Sequence, residues 1–158
     1  MYEKYGNFNT SEDINKKAAE LKEDVNQLKE LAKENGIDEE IAELYNAGEI
    51  GYICDVESAA IGKLDIESAE LKTTELIQDW VDYIKVLCTK DEKMAKAVRT
   101  SKKDLKSCIS KLLQWSFKNA YEVDKEIVKA AGVTGTVKMG IPGMGTAKKL
   151  IREYYVGE

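Results

Sequence analysis

Apolar residues recur along this chain at three- and four-residue steps, punctuated by small polar residues. Ile14, Ala18, Leu21, Val25, Leu28 and Leu31 line one helical face that opens at Asn9, Thr10 and Ser11. The pattern weakens over residues 22–24 and stops at Asn35 and Gly36. Residues 37–48 form a short helix, with Asp38 as its cap and Gly48 as its stop. Residues 55–71 carry Ala60, Ile61, Leu64, Ser68 and Leu71 at helical spacing. The widest apolar face is Leu76, Ile77, Trp80, Val81, Ile84, Leu87 and Cys88, with Trp80 as a core anchor. A short basic helix follows over residues 91–99.

Ser101 and Asp104 have the spacing of a capping box. They precede a helix with Leu105, Cys108, Ile109, Leu112, Leu113 and Ser116 inward. Trp115 and Phe117 flank that face, which leaves one of them for a partner. A helix over 123–132 is capped by Asp124 and ended by Gly132, and residues 134–139 are β-branched between glycines. The last helix, 146–155, has Ala147, Leu150, Ile151 and Tyr154 on one face. An aromatic arm at the start, Tyr2, Tyr5 and Phe8, is expected to pack onto the body. The predicted fold is mainly α: a compact bundle of six to eight helices, with room for one short β element near 134–139.

Charge divides what the pattern leaves whole. Residues 1–82 hold 21 acidic and 8 basic residues, and residues 83–158 hold 8 acidic and 16 basic. Residues 34–62 carry eight carboxylates and no lysine or arginine, whereas residues 85–118 carry ten basic residues and three acidic ones. This predicts an acidic helical subdomain over 1–90 and a basic one over 91–158, sharing one core. Three readings are open: a solvated mixed-charge surface, an acidic mimic of nucleic acid, or direct nucleic-acid binding by the basic half. The last is disfavoured, because aromatics and glycines are not interleaved with the lysines there.

Composition narrows the chemistry. There is no histidine, which removes the commonest general base and metal ligand. Cys54, Cys88 and Cys108 are scattered and odd in number, and read as reduced core residues of a cytoplasmic protein. No apolar run is long enough to span a membrane, and the opening residues lack the apolar core of a leader. No enzyme, metal or cofactor is expected. The acidic residues Asp38, Glu39, Glu40 and Glu43, with Glu49 and Asp55, are the candidate contacts for a protein partner. A metal is not expected among them, since first-turn carboxylates complement the helix dipole and calcium-loop spacing is lacking.

The stretch MGIPGMGTAKKL (139–150) offers a second candidate. Gly143, Gly145 and Thr146 with Lys148 and Lys149 meet the general need of an anion site before a helix, such as a nucleotide would use. The phosphate-loop and dinucleotide patterns both fail there. The competing reading is a plain turn, with Thr146 or the glycine before it as the cap.

The runs KDLKSCISKLLQWSFKN (103–119), VDKEIVKAAG (123–132) and KKLIREYYVGE (148–158) resemble the PcfK-like proteins of Firmicutes mobile elements. Cys108, Asp124, Glu126, Tyr154 and Tyr155 follow the order of that family, with Glu153 in the place of a family histidine. The resemblance implies a mobile-element accessory protein. Some members of the family are anti-CRISPR inhibitors of the type II RNA-guided nuclease, which makes that nuclease the expected partner. A structural or conjugation accessory role and a homodimer through residues 105–117 are the alternatives.

Overall fold

The computed structural model describes residues 3–157. Local capping sets its element boundaries. Thr10 accepts the Asp13 amide and opens α1 (Ser11–Glu20); Asp24 accepts the Asn26 and Gln27 amides and opens α2 (Val25–Glu34). The weak point at residues 22–24 is thus a full break. It makes nine helices among the described residues, where six to eight were expected. Asp38 opens α3 (Glu39–Asn46). Asp55 and Ser58 form a reciprocal capping box at α4 (Val56–Leu71). Next come α5 (Glu75–Lys90), α6 (Glu92–Arg99) capped by Asp91, and α7 (Leu105–Lys118).

Two small strands, β1 (Tyr121–Glu122) and β2 (Lys138–Met139), then pair antiparallel around α8 (Lys125–Ala130), before α9 (Met144–Val156). The β element lies at the end of the expected 134–139 stretch. Its partner strand had no sequence signal.

The chain divides into two units, Met1–Lys106 and Ser107–Glu158. The charge change near Lys90 lies inside the first unit, because α4, α5 and α6 all pack on one another across it. Counted by unit, the first carries 24 acidic and 16 basic residues and the second 5 and 8, net charges of −8 and +3.

In the first unit, α1, α2 and α3 enclose a core of Ile14, Leu28, Leu31, Ala42, Tyr45 and Ile53, joined by Ala59 at the start of α4. Tyr5 and Phe8 of the aromatic arm pack against it; Tyr2 lies outside the described residues. α4 has no single apolar face, since Ala60, Gly62, Lys63, Leu64, Glu67 and Ser68 are all buried. It is the helix on which α5 and α6 both rest. Leu71, expected inward, is exposed. The end of α2 meets the middle of α4 backbone to backbone. Gly36 holds φ +66°, and a Cβ on either Gly36 or Gly62 would collide with the other segment's backbone. In α5, Trp80, Val81, Ile84 and Cys88 are buried as expected, while Ile77 is exposed.

In the second unit, Ala147, Ile151 and Tyr155 form the buried stripe of α9, and Tyr155 rather than Tyr154 completes it. Leu112 is buried, but Leu113 is exposed. Of the two flanking aromatics, Phe117 is the exposed one, at 83%, and Trp115 is half-buried. Among the described residues no helix is long and apolar enough to cross a membrane.

Candidate functional site

The acidic candidates sit on α3 and the loop that leaves it. Tyr45 and Ala42 turn inward and hold the helix, so Glu39, Glu40, Glu43 and Leu44 face solvent. Asp38 is exposed but occupied, since its carboxylate accepts the Glu40 amide at 2.9 Å. Glu43 is paired with Lys29 of α2 at 2.7 Å, and that carboxylate raises the Lys29 pKa. Asp55 caps α4, accepting the Ser58 amide at 2.7 Å; this hydrogen bond lowers its pKa below the ordinary 3.8. Three of the six predicted contacts therefore serve the fold. Glu39, Glu40 and Glu49 are exposed without an ion pair among the described residues.

The loop between α3 and α4 is fixed by a residue that sequence reasoning missed. Gly48 ends α3 with φ +79°, and the Glu49 amide donates back to Leu44 O. Asn15 of α1 then holds the loop from both sides. Its Oδ1 accepts the Ile53 and Cys54 amides at 3.0 and 3.2 Å, and its Nδ2 donates to Cys54 O at 2.8 Å. Tyr52, just before the clamped pair, is 59% exposed. An exposed tyrosine on a clamped loop among carboxylates is a contact residue in kind, because it offers a large apolar area at low entropic cost. Its only sequence signal was its place between Glu49 and Asp55.

A second polar cluster is hidden. Lys63 and Glu67 on α4 have the i,i+4 spacing of an exposed pair, but they are 1% and 5% exposed. The Lys63 ammonium donates to Val98 O at 3.0 Å, Thr100 O at 2.6 Å and Lys103 O, and lies 3.6 Å from Glu67 Oε1. Glu67 Oε2 accepts the Leu105 amide at 2.8 Å. This replaces the expected capping box: α7 begins at Leu105, with its first donor on Glu67. The Ser101 amide donates instead to Asn9 Oδ1 at 3.2 Å. Nearby, Arg99 donates to Asn35 Oδ1 at 3.0 Å and Asn7 Oδ1 at 3.1 Å. Burial pushes the Lys63 pKa down and the Glu67 pKa up, against their mutual attraction. The cluster ties the end of α6, the following turn and the start of α7 to α4.

The glycine stretch folds as a helix start. α9 begins at Met144 with Gly143 as N-cap and no side-chain cap, which puts Gly145 and Thr146 inside its first turn. Gly140, Gly143 and Gly145 all lack positive φ, and a Cβ on Gly143 or Gly145 would meet nothing within 4 Å. Only Gly140 is needed for a close approach, to the Ser116 carbonyl. The residues are thus not bent into the concave amide cradle that converges on phosphate.

Cys54, Cys88 and Cys108 are buried and unbridged, and burial pushes the Cys54 and Cys88 thiols up to about 12. Among the described residues no three cysteine or acidic side chains are grouped to hold a metal ion. No protein-family model, curated protein or solved structure matches the chain.

Proposed function

We propose that this chain is a non-enzymatic binding protein whose acidic face captures a basic macromolecular partner. The observation that carries the reading is the rigid display of Glu39, Glu40, Glu49 and Tyr52 by α3 and the Asn15-clamped loop. Solvent-facing carboxylates steer a lysine-rich surface, and the tyrosine supplies desolvated contact area once it arrives. A binding role also suits the available chemistry: no histidine, and two thiols held near 12.

The resemblance of residues 103–158 to PcfK-like proteins names the partner class to try first, a type II RNA-guided nuclease. The test is a cleavage assay with the protein added before or after guide loading, at low and high salt. Salt-sensitive inhibition, lost on Glu39→Lys with Glu40→Lys and on Tyr52→Ser, is the expected result. Inhibition unchanged by both variants would refute the acidic face as the contact. An absence of inhibition and of co-migration across several such nucleases would refute that partner class.

A further inference from the structure

The excursion between the two strands encloses a cavity. β1 and β2 pair, and next to them the Val123 amide donates to Val137 O at 2.8 Å, so residues 123–137 leave and return through one neck. Inside the excursion the Gly132 and Val133 amides turn back onto Lys129 O and Val128 O, which satisfies the end of α8. Between α8 and the returning loop lies a space of about 460 Å³, within the range of small-molecule sites. Val123, Val128, Val133 and Val137 form its apolar wall, and of the four only Val128 is buried.

The polar groups that line this space are mostly donors. Lys125 and Lys129 lie one turn apart on α8, and neither has an ion pair among the described residues. Thr134 and Thr136 bring two hydroxyls. Among the described residues the Thr134, Gly135 and Thr136 amides donate to no carbonyl of the chain. Gly135 holds φ +87°, the kind of backbone that turns successive amides to one side, whereas no glycine of the stretch 139–150 has a positive φ. One carboxylate lines the space, Glu122, and it stands opposite Lys138 in the ribbon register. The donor set selects phosphate over carboxylate. A phosphate monoester carries about −1.5 to −2 charges at neutral pH and three acceptor oxygens, which matches two ammonium groups and the loop donors; a carboxylate has one charge and two oxygens. We propose that this cavity binds a small phosphate monoester with an apolar body, the phosphate on Lys125, Lys129 and the 134–136 loop and the body against the valines. The site lies in the second unit and does not depend on the acidic face of the first.

The experiment follows the backbone amides of the full chain by nuclear magnetic resonance during titration with phenyl phosphate at constant ionic strength. Inorganic phosphate and phenol serve as the two half-ligands, and benzoate as the carboxylate counterpart. Phenyl phosphate is expected to shift the Thr134, Gly135 and Thr136 amides saturably, and each of the other three probes should bind more weakly. Lys125→Gln with Lys129→Gln should weaken phenyl phosphate on the order of tenfold or more, as the loss of charge-assisted hydrogen bonds does. Both lysines are exposed, so the fold does not depend on them, and circular dichroism checks that. Val133→Ser should weaken phenyl phosphate and leave inorganic phosphate unchanged, a split that a loss of structure would not give. No saturable shift at millimolar phenyl phosphate overturns the proposal. So does binding that the double lysine variant leaves as tight, or a set of shifts centred on residues 143–149. Inorganic phosphate binding as tightly as phenyl phosphate overturns the role of the valines, and benzoate binding as tightly overturns the choice of phosphate.

Discussion

Replacing Lys63 by methionine keeps most of the side-chain volume and removes the ammonium. Three backbone carbonyls, of Val98, Thr100 and Lys103, then lose their donor, and Glu67 stays buried without its cation. Breaking a buried ion pair from one side costs about 3–5 kcal/mol, far more than the pair contributes over a well-packed apolar substitute. In a unit of this size that lowers Tm by roughly 15–25 °C. Urea unfolding followed by circular dichroism measures the loss as a lower midpoint. Adding Glu67→Gln should recover part of it, since the orphaned charge is gone, giving a coupling above about 1 kcal/mol in the double-mutant cycle.

The pH dependence has a definite sign. Burial holds the Glu67 carboxyl above its ordinary 4.5, so between those values the folded state keeps a proton that the unfolded chain has released. The stability this group contributes therefore falls as pH rises through that window. Without Lys63 the window extends higher. The deficit of Lys63→Met should then be largest near neutral pH and shrink as acid protonates Glu67. A loss under about 1 kcal/mol that does not change with pH would refute the reading, and would mean water reaches the site.

Three further outcomes follow from single positions. Gly62→Ala should cost about 2 kcal/mol or more through collision with Asn35 and Gly36, whereas Gly145→Ala, in open space on a helix, should stabilise by about 0.5–1 kcal/mol; thermal melts compare them. Asp55→Ala should cost about 1 kcal/mol at neutral pH. Because the capping hydrogen bond lowers the Asp55 pKa, its contribution is present above 3.8 and fades as pH falls through the folded value, so wild-type and variant melting curves should converge in acid. None of the three thiols should react with an aromatic disulfide reagent until the chain unfolds; rapid labelling of any one in the native state would contradict its burial.

The helices were legible because their ends are local. Thr10, Asp24, Asp38, Asp55, Asp91 and Asp124 each accept an amide two or three residues ahead, and such a bond depends on nothing distant. What failed depended on distance. β1 has two residues, and its partner lies beyond α8. Ser101 has the spacing of a cap, but Glu67, on another helix, takes the Leu105 amide and moves the start of α7. α4 carries no apolar stripe because neighbours cover more than one side, and periodicity reports only helices with one wet face. Gly62 was its one sequence signal, a glycine inside a helix that close backbone approach explains.

The candidate site was half legible for a related reason. Composition counts charges but not their employment. Six carboxylates looked alike in sequence; the fold spends Asp38 and Asp55 on caps and Glu43 on Lys29, and leaves Glu39, Glu40 and Glu49 for solvent. Lys63 and Glu67 have the spacing of any surface pair, yet they lie inside because three carbonyls need a donor there. The charge boundary drawn at Lys90 was displaced in the same way. Much of the basic character of residues 85–106 belongs to α5, α6 and the turn beyond, which pack within the acidic unit and hold it together through Arg99. Removing those residues from the basic half leaves the second unit a modest excess of three positive charges, too few for a nucleic-acid groove by charge alone.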